Sequence, residues 1–401
     1  MTRVLELSAQ AAGGVRAHIR QVSQLLAKDG HQVLLAGPSN VISPAPGAVG
    51  GACLRTYQID IGARPSGADL KALRQLKQLA ATAQVIHAHG LRAGALAVLA
   101  VKRLPAAKRP RVVVTLHNLP VGSALTRLVG QALQLVVVKG ADYVLTVSPD
   151  LLEKAKQLGL KAGEIAVVPA PARGCADCGC MDRAAQSEIS QASAQSSHAG
   201  SGVGTGSGVG TGSGVGAGSS YGASSAASSE AAPCVLTIAR LAPQKGLDLL
   251  LEAAALIKQG GIDFTWLVAG DGPLKAQLNQ QIAAAALPVK LLGRREDIGA
   301  LLAQADVVVQ TSYWEGQPLT LREAMQAGRA IVATNVGGSA YTLAGCGQLV
   351  EPQAGPLADA VVAVISDPKR RETLEAASRA AVAKIPGETQ LREQLDRVLK
   401  L

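Results

Sequence analysis

The sequence predicts an α/β protein: two Rossmann-like, doubly wound domains face a central cleft and are joined by a low-complexity linker. Three observations predict it. Short apolar runs alternate with helical patterns up to residue 172, the pattern of parallel βαβ units. A Ser/Ala/Gly tract then interrupts the alternation, which resumes at Cys234. At 401 residues the chain is also too long for one ordinary core.

In the first domain, residues 1–172, "VLEL" (4–7) is a strand leading into a loop with Gly13-Gly14. Val15, Ile19, Val22 and Leu26 then recur at helical spacing, and Gly30 ends that helix. "HQVLLAG" (31–37), "QVIHAHG" (84–90), "RVVVTLHN" (111–118), "DYVLTVS" (142–148) and "IAVVPAPA" (165–172) read as further strands. The second domain, residues 234–385, offers strands at "CVLTIARL", "TWLVAGDG", "VKLLGRRED", "DVVVQTS", "AIVATNVGG" and "GQLVEP", with helices between them. Residues 386–401 form a C-terminal helix expected to pack back toward the first domain.

Residues 173–233 differ in kind. "SGVGTG SGVGTG SGVGAG" (201–218) repeats a hexamer inside a tract too poor in apolar side chains to offset its ordering entropy. It reads as a disordered spacer of about 40 Å root-mean-square reach. Cys175, Cys178 and Cys180 have a spacing open to a metal, but only His198 lies nearby. A closed zinc site wants four N or S ligands, so these read as inert thiols and no metal is expected. Cys53, Cys234 and Cys346 are scattered and suggest no disulfide framework.

The net charge of +10 is unevenly placed: residues 1–172 carry 20 Lys and Arg against 8 Asp and Glu, while residues 234–401 balance at 17 each. That surplus suits an anionic acceptor or an anionic membrane carrying it, with "KRLPAAKRPR" (102–111) its densest stretch. No nucleic acid is expected. No run approaches the roughly 18 uncharged apolar residues of a membrane span; the nearest, Leu125 to Val147, is broken by Arg127, Lys139 and Asp142. "MTRVLELSAQ" reads as a first strand and not as a signal peptide, so a cytoplasmic protein is expected, peripheral at most to the inner face of the membrane.

Open α/β sheets bind ligands beyond the carboxyl ends of their strands. Those exits carry "SAQAAGG", "HAHGLR" and "LHNLP" in the first domain. In the second they carry "ARLAPQKG", "GDGP", "GRRED", "SYWEGQP" and "NVGG". Here the chain resembles the retaining glycosyltransferases of family 4, which have the GT-B fold. The resemblance rests on Arg240…Lys245-Gly246, on Gly270-Asp271-Gly272-Pro273, and on Glu315-Gly316-x-Pro318…Glu323-Ala324. Gly13-Gly14-Val15 and His87-Ala-His89-Gly90 match more loosely.

The resemblance implies metal-independent, retaining transfer of a sugar from a nucleoside diphosphate sugar, UDP- or GDP-linked, to a hydroxyl acceptor that is lipid-linked, anionic or a cell-envelope glycan precursor. It implies no cofactor. A departing diphosphate gathers negative charge, which Arg240 can meet as a planar fork and Lys245 as a point charge. Gly13 and Gly14, at a helix start, offer bare N–H groups to a phosphate. Pro318 suits a first helical turn, which leaves Glu315 and Gly316 in the loop before it and Glu323 further along the helix. By resemblance Glu315 contacts donor-sugar hydroxyls, Glu323 the ribose, and His89 lies near the anomeric carbon, where an imidazole can exchange a proton with a hydroxyl.

Gly272, Arg294 and Leu319 complete the implied donor set. Tyr313 and Trp314 are expected to pack their loop, and only one of His87 and His89 to face the cleft. No enzymic nucleophile is implied: the leaving phosphate oxygen takes the acceptor proton on the same sugar face. Nucleotide-sugar epimerases share this architecture but lack the paired Arg/Lys and Glu motifs; a non-catalytic nucleotide-sugar binder of the same fold is the other alternative. The family's Asn-Gly after the last strand of the first domain is replaced by "VVPAPARG", which implies a looser hinge and slower catalysis.

Overall fold

The computed structural model describes residues 1–11, 13–43, 53–62, 67–118, 124–169 and 232–401. The Gly/Ser/Ala tract and Cys175, Cys178 and Cys180 lie outside the described residues.

Strands β1 (Arg3–Ser8), β2 (Gln32–Gly37), β3 (Leu54–Gln58), β4 (Val85–His89), β5 (Arg111–Leu116), β6 (Tyr143–Thr146) and β7 (Gly163–Ile165) form the first sheet, in the order β3-β2-β1-β4-β5-β6-β7. Strands β8 (Cys234–Ile238), β9 (Thr265–Ala269), β10 (Val289–Gly293), β11 (Val307–Gln310), β12 (Ala330–Thr334) and β13 (Gln348–Val350) form the second, in the order β10-β9-β8-β11-β12-β13. Every pairing is parallel. The order reverses between β1 and β4 and again between β8 and β11, so each sheet has one switch point at which a ligand can enter between diverging loops.

The helices are α1 (Gly13–Lys28), α2 (Ser39–Ile42), α3 (Ala68–Ala80), α4 (Leu91–Lys102), α5 (Ala124–Gly140), α6 (Pro149–Gln157), α7 (Leu247–Gln259), α8 (Lys275–Ala284), α9 (Ile298–Gln304), α10 (Leu319–Gln326), α11 (Ser339–Leu343), α12 (Ala354–Ile365), α13 (Pro368–Ala381) and α14 (Glu388–Leu399). One face of the first sheet packs Leu5, Ile86, Val112 and Val114 under α3, α4 and α5. The other packs Val4, Val85 and Val113 under α1, α6 and α14. In the second sheet α7 and α12 cover Val235, Trp266, Val307 and Val332, while α9 and α10 cover Leu236, Leu267, Val308 and Ile331.

Two elements differ from the sequence reading. β3 is an edge strand with four of its five residues exposed, so it carries no apolar pattern to read. The expected strand at 165–172 ends its ladder at Ile165. Beyond it, the Val167 N–H turns away to donate to Gln394 Oε1 of α14 at 2.7 Å.

α14 follows the second domain in sequence but lies on the first sheet. Leu391, Leu395, Val398 and Leu399 are buried there among Val4, Leu25, Val33 and Val85. Gln394 also donates to Glu164 Oε1 and to the Ile165 carbonyl, and Arg397 forks onto Glu164. Leu395→Ala would remove a fully enclosed side chain and cost about 2–5 kcal/mol. Urea unfolding of the variant is expected to show a lowered midpoint. An unchanged midpoint would mean that α14 adds little to the fold.

Candidate functional site

The second domain builds one half of the site from three loops. The loop after β8 carries Arg240 and Lys245 and ends on Gly246, whose φ of +58° is left-handed. A Cβ at Gly246 would collide with the Thr311 carbonyl, so only glycine lets this loop lie on the one after β11. Four further contacts stitch the two loops together. The Tyr313 N–H donates to the Gln244 carbonyl at 2.9 Å, and Gln244 Nε2 to the Trp314 carbonyl at 2.8 Å. Thr311 Oγ1 donates to the Lys245 carbonyl at 2.8 Å, and Lys245 Nζ meets Glu315 Oε1 at 2.5 Å. Ser312 Oγ donates to the same carboxylate oxygen at 2.6 Å.

Glu315 is 6% exposed and Lys245 a quarter exposed along its side chain. An ammonium has three N–H donors, so Lys245 can keep Glu315 and still meet a ligand oxygen. Arg240 is exposed and has no side-chain partner among the described residues. A Cβ at Gly272 would strike the Leu241 carbonyl, which puts the "GDGP" turn beside Arg240.

The donor loop also touches the first domain. A Cβ at Gly316 would lie 2.5 Å from Val147 Cγ2 and 3.7 Å from the His117 carbonyl. Trp314 Nε1 donates to Asp150 Oδ2 at 2.9 Å, and Gln317 Nε2 to the Ala166 carbonyl at 2.7 Å. A Cβ at Gly14 would stand 3.1 Å from Leu319 Cδ1. The two switch points therefore face each other.

Beneath the first of them lies a buried polar cluster. On one face of the sheet, β1, β4 and β5 each run from valine to polar residues: Val4 to Glu6, Val85 to His87 and His89, Val113 to Thr115 and then His117. Glu6 Oε1 lies 3.1 Å from His87 Nδ1, and Glu6 Oε2 lies 2.7 Å from His89 Nε2. His87 Nε2 meets Thr115 Oγ1 at 2.8 Å, and His89 Nδ1 meets His117 Nε2 at 3.3 Å. His18 of α1 sets its ring 6.1 Å from that of His89 and 6.0 Å from that of His117, and its Nδ1 is buried without a hydrogen-bond partner among the described residues.

Burial alone would raise the Glu6 carboxyl, but His87 and His89 outweigh it and hold it at about 2. Burial and then His87 push His89 down to about 4, against the pull of Glu6. Burial and the neighbouring His89 and His87 push His18 to about 3. Burial, with His89 and His18, holds His117 well below the usual imidazole range. Donor atoms of Glu6, His87 and His89 fall within 4.8 Å of one another, a spacing open to a metal ion. Each of them already has a hydrogen-bond partner within the cluster.

The profile described as "Glycosyl transferases group 1" matches residues 232–367, and the one described as "Glycosyl transferase 4-like domain" matches residues 13–171. The chain belongs to this glycosyltransferase family. It is similar to an alpha-D-kanosaminyltransferase of Streptomyces kanamyceticus, 33% identical over 149 residues that cover 35% of this chain and 39% of that protein. The match thus spans about two fifths of that relative. Among solved structures it resembles sucrose-phosphate synthase from Thermosynechococcus elongatus, with TM-score 0.71, 19% identity and coverage of 100% of this chain and 98% of that one. It also resembles Anabaena Alr3699/HepE in complex with UDP and glucose, with TM-score 0.68, 20% identity and full coverage of both chains. At such identities the likeness is one of fold, and the fold is GT-B.

Within this glycosyltransferase architecture, Arg240, Lys245, Gly272, Glu315 and Gly316 gather at the second switch point, and Gly13 and Gly14 approach it through Leu319. Pro318 caps α10, and Glu323 is half-buried on the same helix. Arg294 is exposed in the loop that follows β10, the edge strand, whose Gly293 carbonyl accepts from the Gly270 N–H of the "GDGP" turn at 2.7 Å. Trp314 bridges to the first domain and does not merely pack its own loop. The expectation that only one of His87 and His89 faces the cleft is corrected. Residues two apart on a strand share a face, and both rings reach Glu6.

Glu6 and Arg322 were missed. A carboxylate in the middle of an apolar strand, "VLEL", was the available signal, because a buried charge demands partners. Arg322 is 2% exposed, bonds Gln317 Oε1 at 2.5 Å, and leaves Nη1 buried without a partner among the described residues.

The cluster makes the fold sensitive to acid. His18 and His89 hold protons less readily folded than unfolded, so their contribution is present above about pH 6.5 and is lost as pH falls toward 4 and 3. The Glu6 contribution is lost lower still, toward pH 2. Each histidine is expected to cost on the order of 1 kcal/mol per pH unit below about pH 6. The melting temperature should drop from pH 7.5 to pH 5, and less steeply in His18→Gln. A flat profile over that range would contradict neutral burial.

Proposed function

We propose that this glycosyltransferase-family chain is a retaining, metal-independent enzyme that moves a sugar from a nucleoside diphosphate sugar to a hydroxyl acceptor. The observation that carries the reading is the apposition of the two switch points. The Arg240–Lys245 loop, tied to Glu315, faces the Gly13-Gly14 helix start with no more than a side chain between Gly14 and Leu319. Two cations on one lip and open N–H groups on the other suit a diphosphate whose charge grows as the sugar leaves. Glu315, buried and already sharing one oxygen, has its second oxygen for sugar hydroxyls; Glu323 is assigned the ribose. The complex of HepE with UDP and glucose supports a UDP-linked donor, with a GDP-linked one as the alternative.

Both ring nitrogens of His89 are occupied, by Glu6 and by His117. The role first given to His89, meeting a hydroxyl near the anomeric carbon, therefore passes to His117, whose backbone abuts Gly316. The leaving phosphate oxygen takes the acceptor proton.

The basic surplus of residues 1–172 supports an anionic acceptor or an anionic membrane. Lys102, Arg103, Lys108 and Arg109 are exposed, but their loop enters β5 and so lies at the amino-terminal end of the sheet, opposite the cleft. It would hold the protein on a surface and would not touch the acceptor. No helix among the described residues is long and apolar enough to cross a membrane.

Incubation with labelled UDP- and GDP-sugars should release free nucleotide slowly without acceptor. Arg240→Ala and Lys245→Ala should each cost several kcal/mol of transition-state stabilisation, the scale of oxyanion donors. A variant that keeps more than about a tenth of wild-type turnover would remove the diphosphate assignment, and a wild type that binds but never turns over would favour a non-catalytic binder. Turnover should persist in EDTA, and NMR of the product should show the donor's anomeric configuration. Loss in EDTA restored by manganese, or an inverted product, would reject the mechanism.

A further inference from the structure

We propose that Glu6 is a positioning residue: through His89 it sets the hydrogen-bond polarity of His117, so that His117 Nδ1 is presented as an acceptor. What that nitrogen meets rests on the transfer reading above; the tautomers themselves do not.

The chain of reasoning starts from a charge that cannot reverse. The Glu6 side chain is fully buried in the middle of β1, and a buried carboxylate only accepts hydrogen bonds. Both imidazoles beside it must therefore donate. His87 gives Nδ1–H to Oε1, and His89 gives Nε2–H to Oε2. His89 is neutral at pH 7, so its Nδ1 carries a lone pair. The group opposite that lone pair is His117 Nε2 at 3.3 Å, which must then be the N–H end of its ring. His117 is neutral too, and its remaining nitrogen, Nδ1, is left as an acceptor. It has no hydrogen-bond partner among the described residues.

One buried carboxylate thus dictates, across two neutral rings, that the terminal nitrogen takes a hydrogen from a ligand hydroxyl and does not give one. The neighbouring arm closes consistently: with His87 Nδ1–H on Glu6, its Nε2 faces Thr115 Oγ1 at 2.8 Å, a hydroxyl that can turn either way. A purely structural role would need Glu6 only as a buried partner, with no consequence at His117. The second tautomer of His89 would leave two lone pairs, its own and that of Glu6, face to face at 2.7 Å.

The test uses the full chain with histidine-selective 15N labelling. Long-range 1H–15N correlation reads each ring's tautomer, and His89→Gln and His117→Gln identify the signals. Wild type is expected to show Nε2–H for both His89 and His117. Glu6→Gln keeps the shape but can donate through its amide, so the His89 Nε2–H signature should weaken or invert. Donor turnover should fall about a hundredfold, the lower end for general acid–base groups, with KM for the nucleotide sugar within about twofold. Glu6→Asp, which retains the charge, should recover the tautomer in part.

Nδ1–H at His89 in the wild type, or Glu6→Gln turnover within about twofold of wild type, would overturn the proposal. If Glu6→Gln fails to fold, the wild-type spectrum alone decides. A wild type without turnover would sink the transfer reading and leave the tautomer measurement standing.

Discussion

The close approach of Gly316 to the exit of β6 is the constraint on which the rest of the structure depends. Two parallel sheets each gather their ligand loops at the carboxyl ends of their strands, but nothing in either sheet makes those ends meet. The missing side chain at residue 316 does: a Cβ there would stand 2.5 Å from Val147. Gln317 and Trp314 fasten the same loop to Ala166 and Asp150. At its other end the loop holds Lys245 through Glu315. The segment that reads the proposed donor is therefore also the segment that sets the distance between the domains. α14, seated on the first sheet, fastens the far side.

Both halves of the cleft bury charge that a purely stabilising design would avoid. Glu6 is fully buried among imidazoles, and Arg322 leaves Nη1 buried without a hydrogen-bond partner among the described residues. A buried ionic group is weak evidence for stability, because desolvation offsets much of the attraction. The valines at the entry ends of β1, β4 and β5 supply ordinary packing; the polar residues begin only where those strands reach the cleft. This division along one sheet face is what a site-forming surface looks like when stability and chemistry are kept apart.

Much of this was legible in the sequence, for a physical reason. Parallel strands buried on both faces read as apolar runs, and strand exits in α/β folds are where ligands bind, so "ARLAPQKG" and "SYWEGQP" are placed at the cleft by the sequence pattern itself. The exposed edge strand at Leu54–Gln58 has no such run and was invisible. The histidine cluster was half legible. His87, His89 and His117 stood at strand ends, but the carboxylate that organises them is three residues into β1, and the ring of His18 arrives from a helix. Which nitrogen of which histidine is left for a ligand is a property of that assembly and of no single motif. The contact between Gly316 and Val147 belongs to the same class, since it joins loops of two domains.

The most direct measurement compares nucleoside monophosphate with nucleoside diphosphate binding by calorimetry, in the wild type and in Arg240→Ala. If the second phosphate is held between Arg240, Lys245 and the Gly13-Gly14 helix start, the diphosphate should bind roughly thirtyfold tighter, about 2 kcal/mol. Arg240→Ala should close most of that gap and leave the monophosphate unchanged. Equal affinity for the two nucleotides, or a gap that survives the substitution, would contradict a cleft built around a diphosphate.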